Sequence, residues 1–440
     1  MRIGREKILP VFLPEIHGSI FFLNIDKAES RMLQSKKKTN LFVREDKEIA
    51  MVVEEVKKEF LNHVIPFWER LKDENYGGFY GWLDYDLKLD KTAEKGCILN
   101  SRILWFFSNA YLTFGDKSYL EYAEHAYSFL KEACLDKVNK GIYWSLNYDG
   151  TVCDSTKHTY NQAFAIYALS SYYDAVKEEE AKDMAFSLYH LIESKCRDEN
   201  GYLEAFTEDF KPESNEKLSE NGVEAKRTMN TLLHVFEAYT ELYRVSGDAG
   251  VADSLRQILD IFADKMYNPA LGRQEVFFDE NYNSLIDLYS YGHDIETAWL
   301  IDRGLEILND SAYTKRLTPI TETLTSQVYK IAFDGCSMPA ECCNGVVEES
   351  RIWWVQVEAM VGFYNGYQKH PEKVEYKKAV KGIWEYIKNH MIDKRVGSEW
   401  FWEVDKNGVP SSRKPIVEPW KCPYHTGRMC FELVRRKADV

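Results

Sequence analysis

Six short segments rich in glycine and aromatic residues recur along the chain at a nearly constant spacing. They are DENYGGFYGWLDYD (73–86), NKGIYWSLNYDG (139–150), DENGYLEAFTED (198–209), ALGRQEVFFDEN (270–281), FDGCSMPAEC (333–342) and RVGSEWFWEVDKNG (395–408). Their marker glycines, Gly78, Gly141, Gly201, Gly272, Gly335 and Gly397, are 63, 60, 71, 63 and 62 residues apart. A fixed period of this kind marks a chain assembled from copies of one supersecondary unit. Within the segments apolar residues alternate, as Ile142, Trp144, Leu146 and Tyr148 do ahead of Asp149-Gly150. That pattern predicts a short hairpin or extended loop in each unit.

Between the segments lie two helix-length patterns per unit, about twelve in all. They fall near 48–71, 98–114, 118–134, 158–177, 179–195, 226–246, 250–266, 292–309, 313–331, 349–367, 372–391 and 422–436. One member of each pair is more polar, as in AKDMAFSLYHLIESKC; the other is richer in small and aromatic residues, as in NTLLHVFEAYTELY. Each polar helix pairs in this reading with the apolar one that follows it, EEVKKEFLNHVIPFWERL with LNSRILWFFSNAYLTF for instance. Six such hairpins closed into a ring, apolar members inside, make an all-α fold, an (α/α)6 barrel. A parallel βαβ fold is disfavoured, because the extended segments are not buried Val/Ile runs. Residues 46–440 are expected to form this single catalytic domain. Residues 1–45 look unlike the rest and end in the basic run SKKKTN. They read as a poorly ordered extension, or as sequence upstream of a start at Met51.

The apolar helices carry polar residues near their beginnings: Arg102, Asn161, Asn230 with His234, His293 with Glu296, Trp354 with Glu358, and His425. Taken one per unit, positions 102, 161, 230, 293, 354 and 425 are 59, 69, 63, 61 and 71 apart, which matches the glycine period. In a closed ring they point into one pocket. A lone histidine on an apolar helix face is usually a satisfied core residue, but three of ten histidines at equivalent repeat positions form a constellation.

The kind of partner follows from composition. The chain carries 56 Lys+Arg against 70 Asp+Glu, a net charge of −14, and has no basic cluster beyond the first 50 residues. Nucleic acid is therefore not an expected partner, and no stretch approaches the roughly 18 apolar residues of a membrane span. With 14% aromatic residues, including 11 Trp, the chain is well supplied with flat surfaces on which sugar rings stack. Nine cysteines form no zinc-type cluster and suggest reduced thiols in a cytoplasmic protein. The expected partner is a small molecule, and the expected state a monomer or weak homodimer.

Three chemistries fit such a pocket. His293 and Glu296, with His234 or His425, offer three metal ligands, but no second paired-ligand motif accompanies them. Glu296 and Glu358 offer the two carboxylates of an inverting glycoside hydrolase, which leaves three histidines and an arginine without a task. Two histidines on different helices suit proton removal and delivery on opposite faces of a carbon. Arg102 then stabilises an enediolate oxygen, Trp299, Trp354 and Trp420 hold sugar rings, and no cofactor or metal is needed. Glu237, Glu296 and Glu432 follow His234, His293 and His425 at spacings suited to orienting each imidazole. A non-catalytic scaffold, the remaining reading, has no use for inward-facing ionisable groups.

From about Met51 to about Glu432 the sequence resembles the cellobiose 2-epimerases of the N-acylglucosamine 2-epimerase family. The resemblance is carried by PFWERLKDENYGGFYG, EKGCILNSRILWFFSNAY, HTYNQAFAIYALSSYY, MNTLLHVFEAYTELYR, YSYGHDIETAWL, WWVQVEAMVGFYNGYQ and EPWKCPYHTGRMCFEL. It implies an (α/α)6 barrel that converts the reducing-end glucose of a β-1,4-linked disaccharide to mannose without metal or nucleotide. It further implies that His293 and His425 exchange the C2 proton through a cis-enediolate, with His234 as a third essential histidine. Arg102, Asn230 and Tyr160 match substrate-binding positions, Glu296 and Glu358 the carboxylates around the histidines, and Trp354 and Trp420 the aromatic walls. Relatives acting on monosaccharides or N-acylglucosamine, or isomerising aldose to ketose, share these features.

Overall fold

The computed structural model describes residues 47–219 and 221–438. The chain divides into two compact units, Met1–Met51 and Val52–Val440. The extension expected at residues 1–45 lies outside the described residues, and of the first unit residues 47–51 are helical.

The second unit is built on helices from end to end. Residues 52–69 form α1, followed by α2 (Cys97–Phe114), α3 (Ser118–Phe129), α4 (Thr159–Val176), α5 (Glu179–Lys195) and α6 (Met229–Ser246). The chain continues through α7 (Ala249–Ile261), α8 (Tyr291–Leu308), α9 (Ser311–Ile331), α10 (Trp353–Lys369), α11 (Val374–Tyr386) and α12 (Tyr424–Ala438). The even-numbered helices pack side by side in order, and α12 returns to α2, which closes an inner ring. The (α/α)6 barrel expected from the repeats is therefore the architecture.

Amphipathicity sorts the helices into the two layers. In α4 every residue from Thr159 to Tyr172 is buried, as a helix surrounded by neighbours requires. In α5 the buried residues are Ala181, Ala185, Leu188, Tyr189 and Ile192, one stripe facing inward. The hairpins close differently from the sequence pairing: each inner helix packs on the outer helix that follows it. The reason is the connection length. Inner helices α2, α4, α6 and α8 end in left-handed residues, Gly115, Lys177, Gly247 and Asn309, and the chain turns back at once. The route from an outer helix to the next inner one runs instead through the aromatic segments. Helix α1 serves as the outer partner of α12, with Phe60 edge-on to Phe431 at 5.1 Å.

The aromatic segments form the expected hairpins. Ser145–Leu146 pairs with Val152–Asp154 across the turn that Gly150 completes. A second tie was not expected: the short strands entering α2, α4, α6, α8 and α10 pair with the next unit's hairpin. Lys95–Gly96 joins Ser145–Leu146, Lys157–His158 joins Ala205–Phe206, and Arg227–Thr228 joins Phe277–Phe278. Leu288–Ser290 joins Glu341–Cys343, and Arg351–Ile352 joins Glu403–Val404. Buried ion pairs repeat the tie within units: Lys95 to Asp73 at 2.6 Å and Lys157 to Asp136 at 2.9 Å. The starts of the inner helices are thereby fixed at one end of the ring. Among the described residues no helix is long and apolar enough to cross a membrane.

Candidate active site

The polar residues that begin the inner helices converge. His293, in the first turn of α8, and His425, in the first turn of α12, both pack against the Trp354 ring, with centroids 4.7 Å and 5.5 Å away. His234, one turn into α6, meets the ring of Tyr160 edge-on at 5.1 Å, and Tyr160 is 5.9 Å from Trp420. The Arg102 guanidinium donates to the Tyr160 hydroxyl at 3.0 Å and lies over the Phe164 ring at 4.1 Å. Its Nε, like Oδ1 of Asn161 and of Asn230, has no protein partner. Among the described residues no carboxylate hydrogen-bonds this buried cation.

Beneath the histidines lies a charge cluster centred on Arg428, which the sequence reading did not select. One guanidinium nitrogen donates to Glu237 Oε1 at 2.5 Å; the other contacts Glu296 and, at 2.7 Å, Glu358 Oε1. The Tyr424 hydroxyl also contacts Arg428 and donates to Glu237 Oε2 at 2.5 Å. Desolvation opposes ionisation of Glu237, but Arg428 and then His234 outweigh it and hold that carboxyl well below its usual range. At Glu358 burial wins over Arg428, and its carboxyl is raised. The signal in the sequence was available: Arg428 is three residues after His425, one turn along the same buried helix.

Two of the three expected histidine–carboxylate pairings change. His234 Nδ1 does meet Glu237 Oε2, at 2.9 Å. His425 Nδ1 instead meets Glu358 Oε1 of α10 at 2.8 Å, while Glu432 binds Arg303 and Arg436. His293 Nδ1 bonds the Ser290 hydroxyl at 2.7 Å, not Glu296, which is drawn to Arg428. With Nδ1 of His234 and His425 given to carboxylates, Nε2 is left to do chemistry. Burial depresses all three imidazoles: His293 to about 4, His425 well below its ordinary value against the pull of Glu296, and His234 against that of Glu237. Burial thus favours the proton-accepting form of each imidazole.

Glu296 and Glu358, expected around the histidines, and Trp299, expected to hold a sugar ring, are all buried. Glu296 and Glu358 have no exposed surface, and Trp299 has 1%. The Trp299 indole donates to Glu358 Oε2 at 3.0 Å while its ring lies 5.0 Å from the Arg428 guanidinium carbon, so it supports the cluster and forms no wall. Trp354 and Trp420 remain partly exposed, as a stacking surface must be. Among the described residues Glu296, Glu358 and His425 form the group with metal-like spacing, their nearest atoms within 4.8 Å. The cation facing both carboxylates is the Arg428 guanidinium.

Gly292 sets the position of Trp354, because a Cβ there would come within 2.5 Å of the indole. The Gly292→Ala variant should therefore displace Trp354, on whose ring His293 and His425 pack. We expect kcat/KM to fall by about ten- to a hundredfold, checked by steady-state kinetics alongside a thermal melt.

The N-acylglucosamine 2-epimerase family matches residues 78–427. The cellobiose 2-epimerase of Eubacterium cellulosolvens is 48% identical over 403 residues, covering 88% of this chain and 99% of that protein. The cellobiose 2-epimerase of Ruminococcus albus is 46% identical over 390 residues, covering 89% and 100%. The structure of cellobiose 2-epimerase from Bacillus thermoamylovorans superposes with a TM-score of 0.85 at 44% identity, over 88% of this chain and all of that one. A GH76 α-mannanase of Bacteroides thetaiotaomicron, 11% identical with a TM-score of 0.58, shares the fold alone. With that match over most of its length and relatives 46–48% identical over nearly their full length, this chain belongs to the N-acylglucosamine 2-epimerase family and is a carbohydrate epimerase.

Proposed function

We propose that this enzyme inverts C2 of the reducing-end glucose of cellobiose and related β-1,4-linked disaccharides, giving the mannose epimer. The observation that carries the reading is the pair His293 and His425 on separate inner helices, both against Trp354, each with Nδ1 held by a protein group. The identity to cellobiose 2-epimerases over nearly their full length supports the disaccharide as substrate.

In this mechanism the sugar opens to its aldehyde, which makes the C2 proton acidic. One imidazole accepts that proton at Nε2 while the aldehyde oxygen takes up the negative charge beside Arg102. The other imidazole, carrying a proton, delivers it to the opposite face of C2. The pair exchanges its protonation states in each turnover, and the roles reverse for the back reaction. His234 works at the sugar hydroxyls, Asn230 and Tyr160 help to hold them, and Trp354 and Trp420 stack on the rings. Glu358 fixes the tautomer of His425. The chemistry uses the substrate's own carbonyl and needs no cofactor.

Rates measured side by side on cellobiose, lactose, mannose and N-acetylglucosamine test the substrate. Cellobiose and lactose should be turned over with the highest kcat/KM; preference for either monosaccharide would overturn the disaccharide assignment. The nine cysteines carry no disulfide, which supports a cytoplasmic enzyme, and we take it to act as a monomer or weak homodimer.

A further inference from the structure

Asp294 stands where three of the other five inner helices carry an amide, α6 and α12 having Leu232 and Gly427 there. The fourth residue of α2 is Asn100, of α4 Gln162 and of α10 Gln356. Each uses its side chain in the same way. The oxygen accepts a backbone N–H from the hairpin before the helix: Phe79 at 2.9 Å, Ile142 at 2.6 Å and Met338 at 2.9 Å. The NH2 donates back to the carbonyl four residues earlier: Gly96 at 3.2 Å, His158 at 3.3 Å and Ile352 at 3.4 Å. The fourth residue of α8 is Asp294, whose Oδ1 accepts from the backbone and side-chain nitrogens of Gln274 at 3.4 Å and 3.0 Å. Its Oδ2 is buried and has no hydrogen-bond partner among the described residues. Four residues earlier is Ser290, whose hydroxyl holds His293 Nδ1.

We propose that Asp294 works as a neutral carboxylic acid whose hydroxyl donates to the Ser290 carbonyl, making it the positioning residue that fixes Ser290 and through it His293. A carboxylate would leave a full charge 1% exposed on an apolar helix. A protonated acid supplies the donor and acceptor that Asn100 supplies in its own unit. The groups that bear on Asp294 are consistent with this. Arg273 and Glu275 flank it with opposite charges from the hairpin, Tyr289 is neutral on the entry strand, and His293 is neutral on its own helix. Burial pushes the Asp294 carboxyl up to about 7, against the Gln274 hydrogen bonds and Arg273. A carboxyl raised on folding contributes stability that is complete below about 4 and is lost as pH rises through about 7.

The role assigned to His293 rests on the proposed function, but the protonation of Asp294 does not, and the experiment separates them. Difference infrared spectra of wild type and Asp294→Asn at pH 6 should show the carbonyl stretch of a protonated acid in the wild type alone, fading as pH rises through about 7. The Asn variant, which restores the amide found at this position in α2, α4 and α10, should keep kcat within about twofold, while Asp294→Ala should lose about ten- to a hundredfold. Its stability should also decline less than the wild type's between pH 4 and 8. Absence of the infrared band at pH 6, or an Asn variant as impaired as the Ala variant, would overturn the proposal. A wild-type enzyme that shows the band but epimerises no sugar would overturn the function instead.

Discussion

His293→Asn is expected to leave a folded protein that binds cellobiose and turns it over about 10²–10⁴-fold more slowly, since that range is what a positioned acid–base group contributes. Asparagine keeps a polar atom near the Ser290 hydroxyl, so the fold should survive. The loss should appear in kcat more than in KM, because the imidazole acts on the C2 proton and not on the sugar's hydroxyls. His425→Asn should behave alike, and the double variant should be little worse than either single one, because two halves of one proton exchange fail together. A merely structural histidine would give a change in melting temperature and an intact kcat. The hydrolase reading makes the opposite forecast, with His293 dispensable and Glu296 essential.

The second large effect is on stability. Arg428→Met removes the one guanidinium that faces Glu237, Glu296 and Glu358 together, all three carboxylates being 4% exposed or less. Methionine fills much of the volume, so little cavity cost arises; the damage is three buried carboxylates without their cation. Breaking a buried ion pair from one side typically costs about 3–5 kcal/mol, a large part of the roughly 5–15 kcal/mol that holds a domain together. Urea denaturation should show a markedly lower midpoint at neutral pH. Protonating the carboxylates relieves the unpaired charge, so the gap to wild type should narrow as pH falls toward 5. A gap that stayed constant with pH would mean that Arg428 contributes packing and not charge.

The repeat made the ring legible from sequence alone. Two periodic signals, the marker glycines and the inner polar residues, ran in step, and only a closed barrel lets both be satisfied. Arg102, Asn161, Asn230, His293, Trp354 and His425 could be singled out because their spacing depends on chain position alone. The pairings beneath them were not, because they depend on how helices distant in sequence are rotated toward one another. Glu358 reaches His425 from 67 residues away, and Arg428 meets Glu296 across 132. Spacing along one helix suggested Glu296 for His293 and Glu432 for His425, yet the side chains went to the strongest buried charges in reach. Trp299 illustrates the same limit: an inner-helix tryptophan faces either the pocket or its floor, and a single Glu358 hydrogen bond decides for the floor. The entry strands, two or three residues long, lacked any periodicity to read.

The central claim is that a C2 proton leaves and returns through the protein. Cellobiose incubated with the enzyme in deuterium oxide, and analysed by NMR, tests it most directly. The expected result is glucosyl-mannose carrying deuterium at C2 and recovered cellobiose that gains the same label as the reaction reverses, both forming about 10²–10⁴-fold more slowly in the His293→Asn variant. Epimer formed with hydrogen retained at C2, or glucose released in its place, would contradict it.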